Sequence, residues 1–284
     1  MRNDATLLIV PCGLLADMPL LVAWQPRRDG SRHLLLLDRP VMFATSARTA
    51  RPTPRAPREL AAAAVIGSSS KVQLFSRVEA EALGCCGPVR SVDTSSAADV
   101  MKEIRNVPLV HFSCHGSASR TDAVASAVHL ADGGVLTAGD ILRATLPGEP
   151  LVFLASCETA SPDPMLPDQT FGPPAAFLHA GAGAVIAPLL AVSVPSSALV
   201  AARFYFELAP GTAPHVALNR AQRWLAGSTA ADRQEFLTQL IGDLRAAGRP
   251  TTVLERLTRC LGQVHDGTPR MAAFSLWSLF TLNV

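Results

Sequence analysis

Two apolar runs mark the middle of the chain, Leu109–Ser113 (LVHFS) and Leu151–Ser156 (LVFLAS). Both have strand length and lack the alternation of a one-sided sheet, as central parallel strands covered on both faces require. Ala62–Ile66, Val89–Val92 and Ala184–Leu189 predict further strands of the same kind. Helical spacing runs through Ser76–Leu83, Ser96–Arg105, Phe171–Ala180, Ser196–Leu208, Ala213–Leu225, Ala231–Ala246 and Thr251–Leu261, with Ser96 and Asp99 at one start and Gly181 at one stop. Between the two central runs, Ala127–Leu130 and the DGG turn at 132–134 predict a small hairpin, followed by a helix over Thr137–Thr145. Phe274–Leu282 predicts a strand closing the sheet. Strands alternating with helices imply an α/β sandwich with a mostly parallel sheet.

The opening has a different rhythm. Thr6–Val10, Leu20–Trp24 and His33–Leu37 are short apolar runs between Pro, Gly and Asp turns, which predict a strand-rich section over 1–44. Residues 45–58 (TSARTARPTPRAPR) have no apolar period and read as an exposed linker. Residues 59–284 form the α/β core, and the whole is expected to be one structural domain. No internal repeat is visible.

Composition narrows the partners. Hydrophobic residues make up 49 % and charged residues 17 % of 284, enough for a large buried core. The net charge of +2 is too mild to point to nucleic acid or an anionic membrane. The 25 basic residues include lysine only at 71 and 102, a bias towards arginine expected of a GC-rich bacterial genome. The first apolar run is too short for a secretory signal, and no later run is long enough to span a bilayer, so a cytoplasmic protein is expected. Its six cysteines, at 12, 85, 86, 114, 157 and 260, are then expected to be reduced. No C-x-x-C occurs, and no metal site is expected.

In an open parallel sheet, reactive groups gather beyond the carboxyl ends of the strands. Two strands here end in a titratable group: LVHFSC runs into His115, and LVFLAS runs into Cys157. Adjacent strands lie about 4.8 Å apart. If these two are neighbours, their loops bring an imidazole within reach of a thiol. That pairing activates the sulfur for attack on an acyl carbon and later protonates the leaving amine. Gly116 lets the chain turn sharply, and its N–H with that of Cys157 would form an oxyanion hole.

The strings VHFSCHG, SAVHLADGGVLTAGDI and LVFLASCETA resemble the three core motifs of the CHAT domain family, a member of the caspase–separase–gingipain group of cysteine peptidases. FLHAGAGAVIAPL followed by ARFYFEL is similar to the family's next helix–strand–helix section. Trp277, Phe280 and Leu282 resemble its terminal strand, and VPCGLLADMPLLVAW its first strands. His115 and Cys157 stand 42 positions apart, which compares with about 50 in caspases. The resemblance covers nearly the whole chain. It implies a caspase-like three-layer α/β/α sandwich, His115 as base, Cys157 as nucleophile, Gly116 and Cys157 as oxyanion donors, and no cofactor. Two segments depart from the family's pattern. Leu189-Leu190-Ala191-Val192-Ser193 stands where the family shows Leu-Trp-x-Val with an Asp, which bears on specificity, and SPDPMLPDQT at 161–170 stands where it is often Gly-rich.

The expected function is therefore a cysteine endopeptidase acting on protein or peptide substrates through a thioester. A separate regulatory protein is expected as well, in bacterial signalling or defence, because the chain has no sensor repeats. The alternative is a catalytically silent CHAT-like interaction module, which the altered 189–193 segment favours. A serine hydrolase on Ser113 or Ser156 lacks the Gly-x-Ser-x-Gly elbow. Glu158, next to the nucleophile, and Asp122 are candidate substrate-binding carboxylates, with Asp140 a further rim candidate. Cys114 is expected to pack, since alternation turns its side chain away from that of His115. His111 is expected to pack within its strand or to make a supporting hydrogen bond, while His129, His179, His215 and His265 show no partner pattern. Gly181-x-Gly183 follows a helix instead of a strand and fails the dinucleotide-loop context.

Overall fold

A computed structural model of the chain describes residues 5–12, 15, 18, 20–26, 32–44, 46, 54, 61–67, 73–119, 121–155, 172–189, 193–263 and 280–284. The opening section supplies β1 (Leu7–Ile9), β2 (Trp24–Pro26), β3 (Arg32–Leu34), α1 (Leu35–Asp38) and β4 (Val41–Phe43). Two predicted strands change here. Leu20–Val22 is a 3-10 turn closed by the Ala23 N–H on the Leu20 carbonyl at 3.0 Å, so its backbone is satisfied locally instead of by a sheet partner. The run His33–Leu37 switches from strand to helix after Leu34. Consecutive leucines carry no period that selects either state, and docking decides. Leu36 is buried, and the Asn219 side-chain amide donates to the Leu36 carbonyl at 2.6 Å.

The remainder runs β5 (Ala62–Ile66), α2 (Gln73–Leu83), β6 (Val89–Val92), α3 (Ala97–Ile104), β7 (Leu109–Ser113), β8 (His115–Ser117), β9 (Ala127–His129), β10 (Val135–Thr137), α4 (Ala138–Leu142) and β11 (Leu151–Leu154). It continues with α5 (Pro173–His179), β12 (Ala184–Pro188), α6 (Val194–Leu208), α7 (Pro214–Gly227), α8 (Ala230–Ala246), α9 (Thr252–Gln263) and β13 (Phe280–Asn283). The Ser96 hydroxyl caps α3, accepting the Asp99 N–H at 3.2 Å as the sequence predicts.

Eight strands form one sheet in the order β1-β4-β13-β12-β11-β7-β5-β6, and β10-β9-β8 form a small antiparallel sheet beside it. Within the large sheet only β12 with β13 is antiparallel; the other six pairings are parallel. The mostly parallel sheet expected from the sequence is what forms. The terminal strand differs from expectation, because β13 does not close the sheet but lies inside it, between β12 and β4. Its apolar residues alternate with Thr281 and Asn283, and both polar side chains bond carbonyls of β12, Thr281 Oγ1 to Ala187 at 3.1 Å and Asn283 Nδ2 to Val185 at 3.2 Å.

Strand alternation splits the core into two layers. Ala62, Ala64, Leu109, Leu151, Phe153 and Ile186 face α2, α6 and α7, backed by α8 and α9. Ala63, Val65, Val110, Phe112, Val152 and Leu154 face α3, α4, α5 and the buried side of the small sheet. This is a three-layer α/β/α sandwich. Gly181 and Gly183 serve packing. A Cβ at either position would lie 2.7 Å from a backbone oxygen, that of Leu146 or Glu149, and Gly181 has a φ of +112°. Among the described residues no helix is long and apolar enough to cross a membrane. No group of three or more His, Cys, Asp or Glu among them could hold a metal ion.

Candidate active site

Strands β7 and β11 are hydrogen-bonded neighbours. They pair in parallel from Leu109 opposite Leu151 to Phe112 opposite Leu154, and the Ala155 N–H extends the ladder to the Phe112 carbonyl at 2.8 Å. His115 stands three positions beyond Phe112, and Cys157 three beyond Leu154. The chain builds β6 on one side of β5 and then crosses to β7 on the other, so the strand order reverses at β5 and β7. In open α/β sheets this switch point, at the carboxyl edge, is where ligands bind. Cys157 and Glu158 lie outside the described residues, as do the 161–170 segment and all of the 45–58 linker except Ser46 and Pro54.

His115 opens β8 and is exposed, and Gly116 behind it is half-buried. Opposite them on β9, His115 registers with His129 and Gly116 with Val128. Alternation sends Val128 and Leu136, both fully buried, into the core and leaves His115, His129 and Val135 in one cross-strand row on the other face. His129 had shown no partner pattern in the sequence; its Nε2 lies 2.9 Å from the Ser117 hydroxyl. Asp122 is exposed on the connection from β8 to β9, and its carboxylate accepts the Val124 N–H at 3.1 Å, capping a 3-10 turn over Ala123–Ala125. Asp140 forms a capping box with Thr137 at the start of α4, and the Thr137 hydroxyl holds its carboxyl below the ordinary 3.8.

The joint between the two sheets is fixed from several sides. The Gly67 N–H donates to the Ser113 carbonyl at 3.1 Å. Cys114 turns away from His115 as alternation predicts and directs its sulfur at the Val65 carbonyl, 3.5 Å away. Burial pushes its thiol up to about 12. On the opposite face lies a polar network that the sequence reading did not find. Glu79 of α2, only 2 % exposed, accepts hydrogen bonds from the hydroxyls of Ser113 and, at 3.0 Å, of Ser197. His111 Nε2 lies 3.1 Å from the same carboxylate, and its Nδ1 lies 2.6 Å from the Tyr205 hydroxyl.

One assignment of protons satisfies every atom of this network. Tyr205 is fully buried, which holds its phenol well above the ordinary 10, so the hydroxyl keeps its proton and donates to His111 Nδ1. Nε2–H then donates to Glu79, which thus receives three donors. Both roles expected for His111 are met, since its ring is fully buried 5.1 Å from that of Phe153 and also makes the supporting hydrogen bonds. The detectable signal was a histidine inside an apolar strand, since a buried imidazole needs partners. Its partners lie 32 and 94 residues away, which no local pattern encodes.

Comparison with known proteins places this architecture. The family model of the CHAT domain matches residues 1–283. This chain belongs to the CHAT domain family. No curated protein matches it in sequence. Among solved structures, this CHAT domain is similar to gingipain R, an Arg-specific cysteine proteinase, with a TM-score of 0.43 and 11 % identity. The likeness covers 87 % of this chain and 54 % of gingipain R, so the CHAT domain spans about half the length of that protein.

Proposed function

We propose that this CHAT domain is a cysteine endopeptidase in which His115 is the base and Cys157 the nucleophile. The observation that carries the reading is the parallel pairing of β7 with β11, with both groups at the same offset beyond one registered pair, Phe112 and Leu154. His115 takes the proton of the Cys157 thiol, and the thiolate attacks the scissile carbonyl. The N–H groups of Gly116 and Cys157 receive the developing oxyanion. The imidazolium protonates the leaving amine, and a water activated by His115 then hydrolyses the thioester. The exposure of His115 supports this, because the base must meet both a peptide and water. Protein or peptide substrates, substrate contacts from Glu158 and Asp122, a regulatory protein partner and a cytoplasmic setting belong to the same proposal.

The test is cleavage of a peptide library by the wild type and by Cys157→Ala and His115→Ala. Each substitution should lower turnover by about a thousand-fold or more. Full activity in both would remove the dyad. Alkylation by iodoacetamide near pH 7 tests the sulfur directly. Burial pushes the Cys85 thiol up to about 12 and raises Cys86 and Cys114 as well, so these react slowly, whereas Cys12 is exposed. An activated Cys157 is alkylated ahead of Cys12 and loses that lead in His115→Ala. Equal rates for Cys157 and Cys12, with no cleavage, would leave the catalytically silent interaction module.

A further inference from the structure

We propose that Glu79 is a positioning residue for His115, acting through Ser113 at the joint where the chain leaves the eight-stranded sheet for the three-stranded one. The inference rests on the reading of His115 as the base. In cysteine and serine hydrolases the base is commonly oriented by a third polar group. Among the described residues no side chain hydrogen-bonds the His115 ring, which leaves the backbone that carries it as the described source of its direction. That backbone is anchored two residues earlier. The Ser113 hydroxyl donates to buried Glu79 on one face of the sheet, and the Cys114 sulfur meets the Val65 carbonyl on the other. Between them the Ser113 carbonyl is held by the Gly67 N–H.

A carboxyl group is rarely taken into a core unless it is fully paired, and an apolar side chain would fill the same space with less desolvation. Two of the three donors to Glu79, His111 and Ser113, stand on β7, the strand that delivers His115. The third, Ser197, stands on α6. Glu79 therefore ties the end of β7 to the helical layer and fixes the point from which β8 departs.

The network supplies its own control. Ser113→Ala and Ser197→Ala each remove one hydroxyl donated to the same buried carboxylate, so a purely structural role predicts the same pattern for both. Positioning predicts a difference. Ser113→Ala and Glu79→Gln should lower kcat by roughly ten-fold, with KM within about two-fold. Both should also shift or broaden the side-chain NMR signals of the His115 ring. Ser197→Ala should lose a similar amount of thermal stability with kcat and the His115 signals unchanged. Equal losses of kcat in the two serine variants, or unaltered His115 signals in Ser113→Ala, would overturn the proposal. If Glu79→Gln does not fold, Ser113→Ala carries the test, because it removes a single oxygen atom. If the wild type neither cleaves peptides nor shows an activated Cys157, the dyad fails separately. The His115 ring signals still decide, a shift in Ser113→Ala alone supporting the role of Glu79 and no shift ending it.

Discussion

Replacing Gly67 by Ala is expected to weaken the fold and disturb the base in one step. A Cβ at Gly67 would lie 2.6 Å from the His129 carbonyl oxygen and 3.3 Å from both Cα and Cβ of Cys114. Ordinary contact begins at 3.4 Å, so strand β9 would have to retreat by about 0.8 Å, and no rotamer change relieves a clash with backbone. Overpacking of this kind costs about 1–3 kcal/mol. A chain of 284 residues has an unfolding entropy of about 0.6 kcal/mol/K, so a loss of about 2 kcal/mol lowers Tm by about 3 °C. His129 is the registered partner of His115, so the retreat is transmitted to β8. If His115 is the base, kcat/KM should fall by roughly ten-fold. Gly242→Ala is the matched control. Gly242 lies exposed within α8, and an added Cβ there meets nothing within 4 Å. Alanine should stabilise that helix by about 0.5–1 kcal/mol and raise Tm by about 1 °C. Thermal melts by circular dichroism read both signs. A Gly67→Ala protein with wild-type Tm and wild-type kcat/KM would refute the tight junction between the sheets.

Two further outcomes follow from side chains away from the candidate site. His215 of α7 is buried, its Nδ1 has no partner among the described residues, and burial lowers its pKa below the ordinary 6.5. The unfolded chain therefore binds a proton near pH 6.5 that the folded chain refuses, so stability is fully present above that pH and falls as pH drops below it. The loss of Tm between pH 7.5 and pH 5.0 should shrink in His215→Leu, and an unchanged loss would show that the imidazole is not the source. The Arg203 guanidinium lies 5.3, 5.4 and 5.0 Å from the rings of Phe206, Trp224 and Phe236, and donates twice to Glu207 Oε1, at 3.0 and 2.6 Å. Arg203→Lys keeps the charge but loses the planar stack and fork, and should cost about 1 kcal/mol in urea denaturation. Arg220→Lys, with one contact of 3.2 Å to Glu207 at a half-exposed site, should stay within about 0.5 kcal/mol, and equal losses would refute the stacking argument.

What the sequence disclosed follows from how locally each feature is encoded. Strands β5, β6 and β7 coincide with the runs read from the sequence, because a strand buried on both faces needs continuous apolar residues and tolerates few alternatives. The cap of Ser96 on α3 involves residues three apart and is equally readable. The leucine run at 34–37 offered no period, and its helical turn is selected by Asn219, some 180 positions away. Glu79 and Glu81 sit on one amphipathic helix and look alike in sequence. One is buried against β7, while the other accepts the N–H groups of Val253 and Leu254 at the start of α9, at 2.8–3.0 Å. Only the tertiary fold separates those two roles. At the candidate site, the strand ending at His115 and the strand leading to Cys157 were both legible, and their adjacency was the conditional step that the sheet order supplies.

The place of β13 has a consequence for how this protein is made. Phe43 of β4 registers with Asn283 of β13, 240 positions later, and the Val284 N–H donates to the Phe43 carbonyl at 2.9 Å. At about 5–20 residues per second, a ribosome needs on the order of 10–50 s to travel from one partner to the other. Throughout that interval the strand that includes Phe43 waits with one flank unmated, open to pairing with a neighbouring nascent chain. Expression should therefore favour conditions that keep emerging chains apart, since the last join in this sheet is also the one that seals its earliest strands.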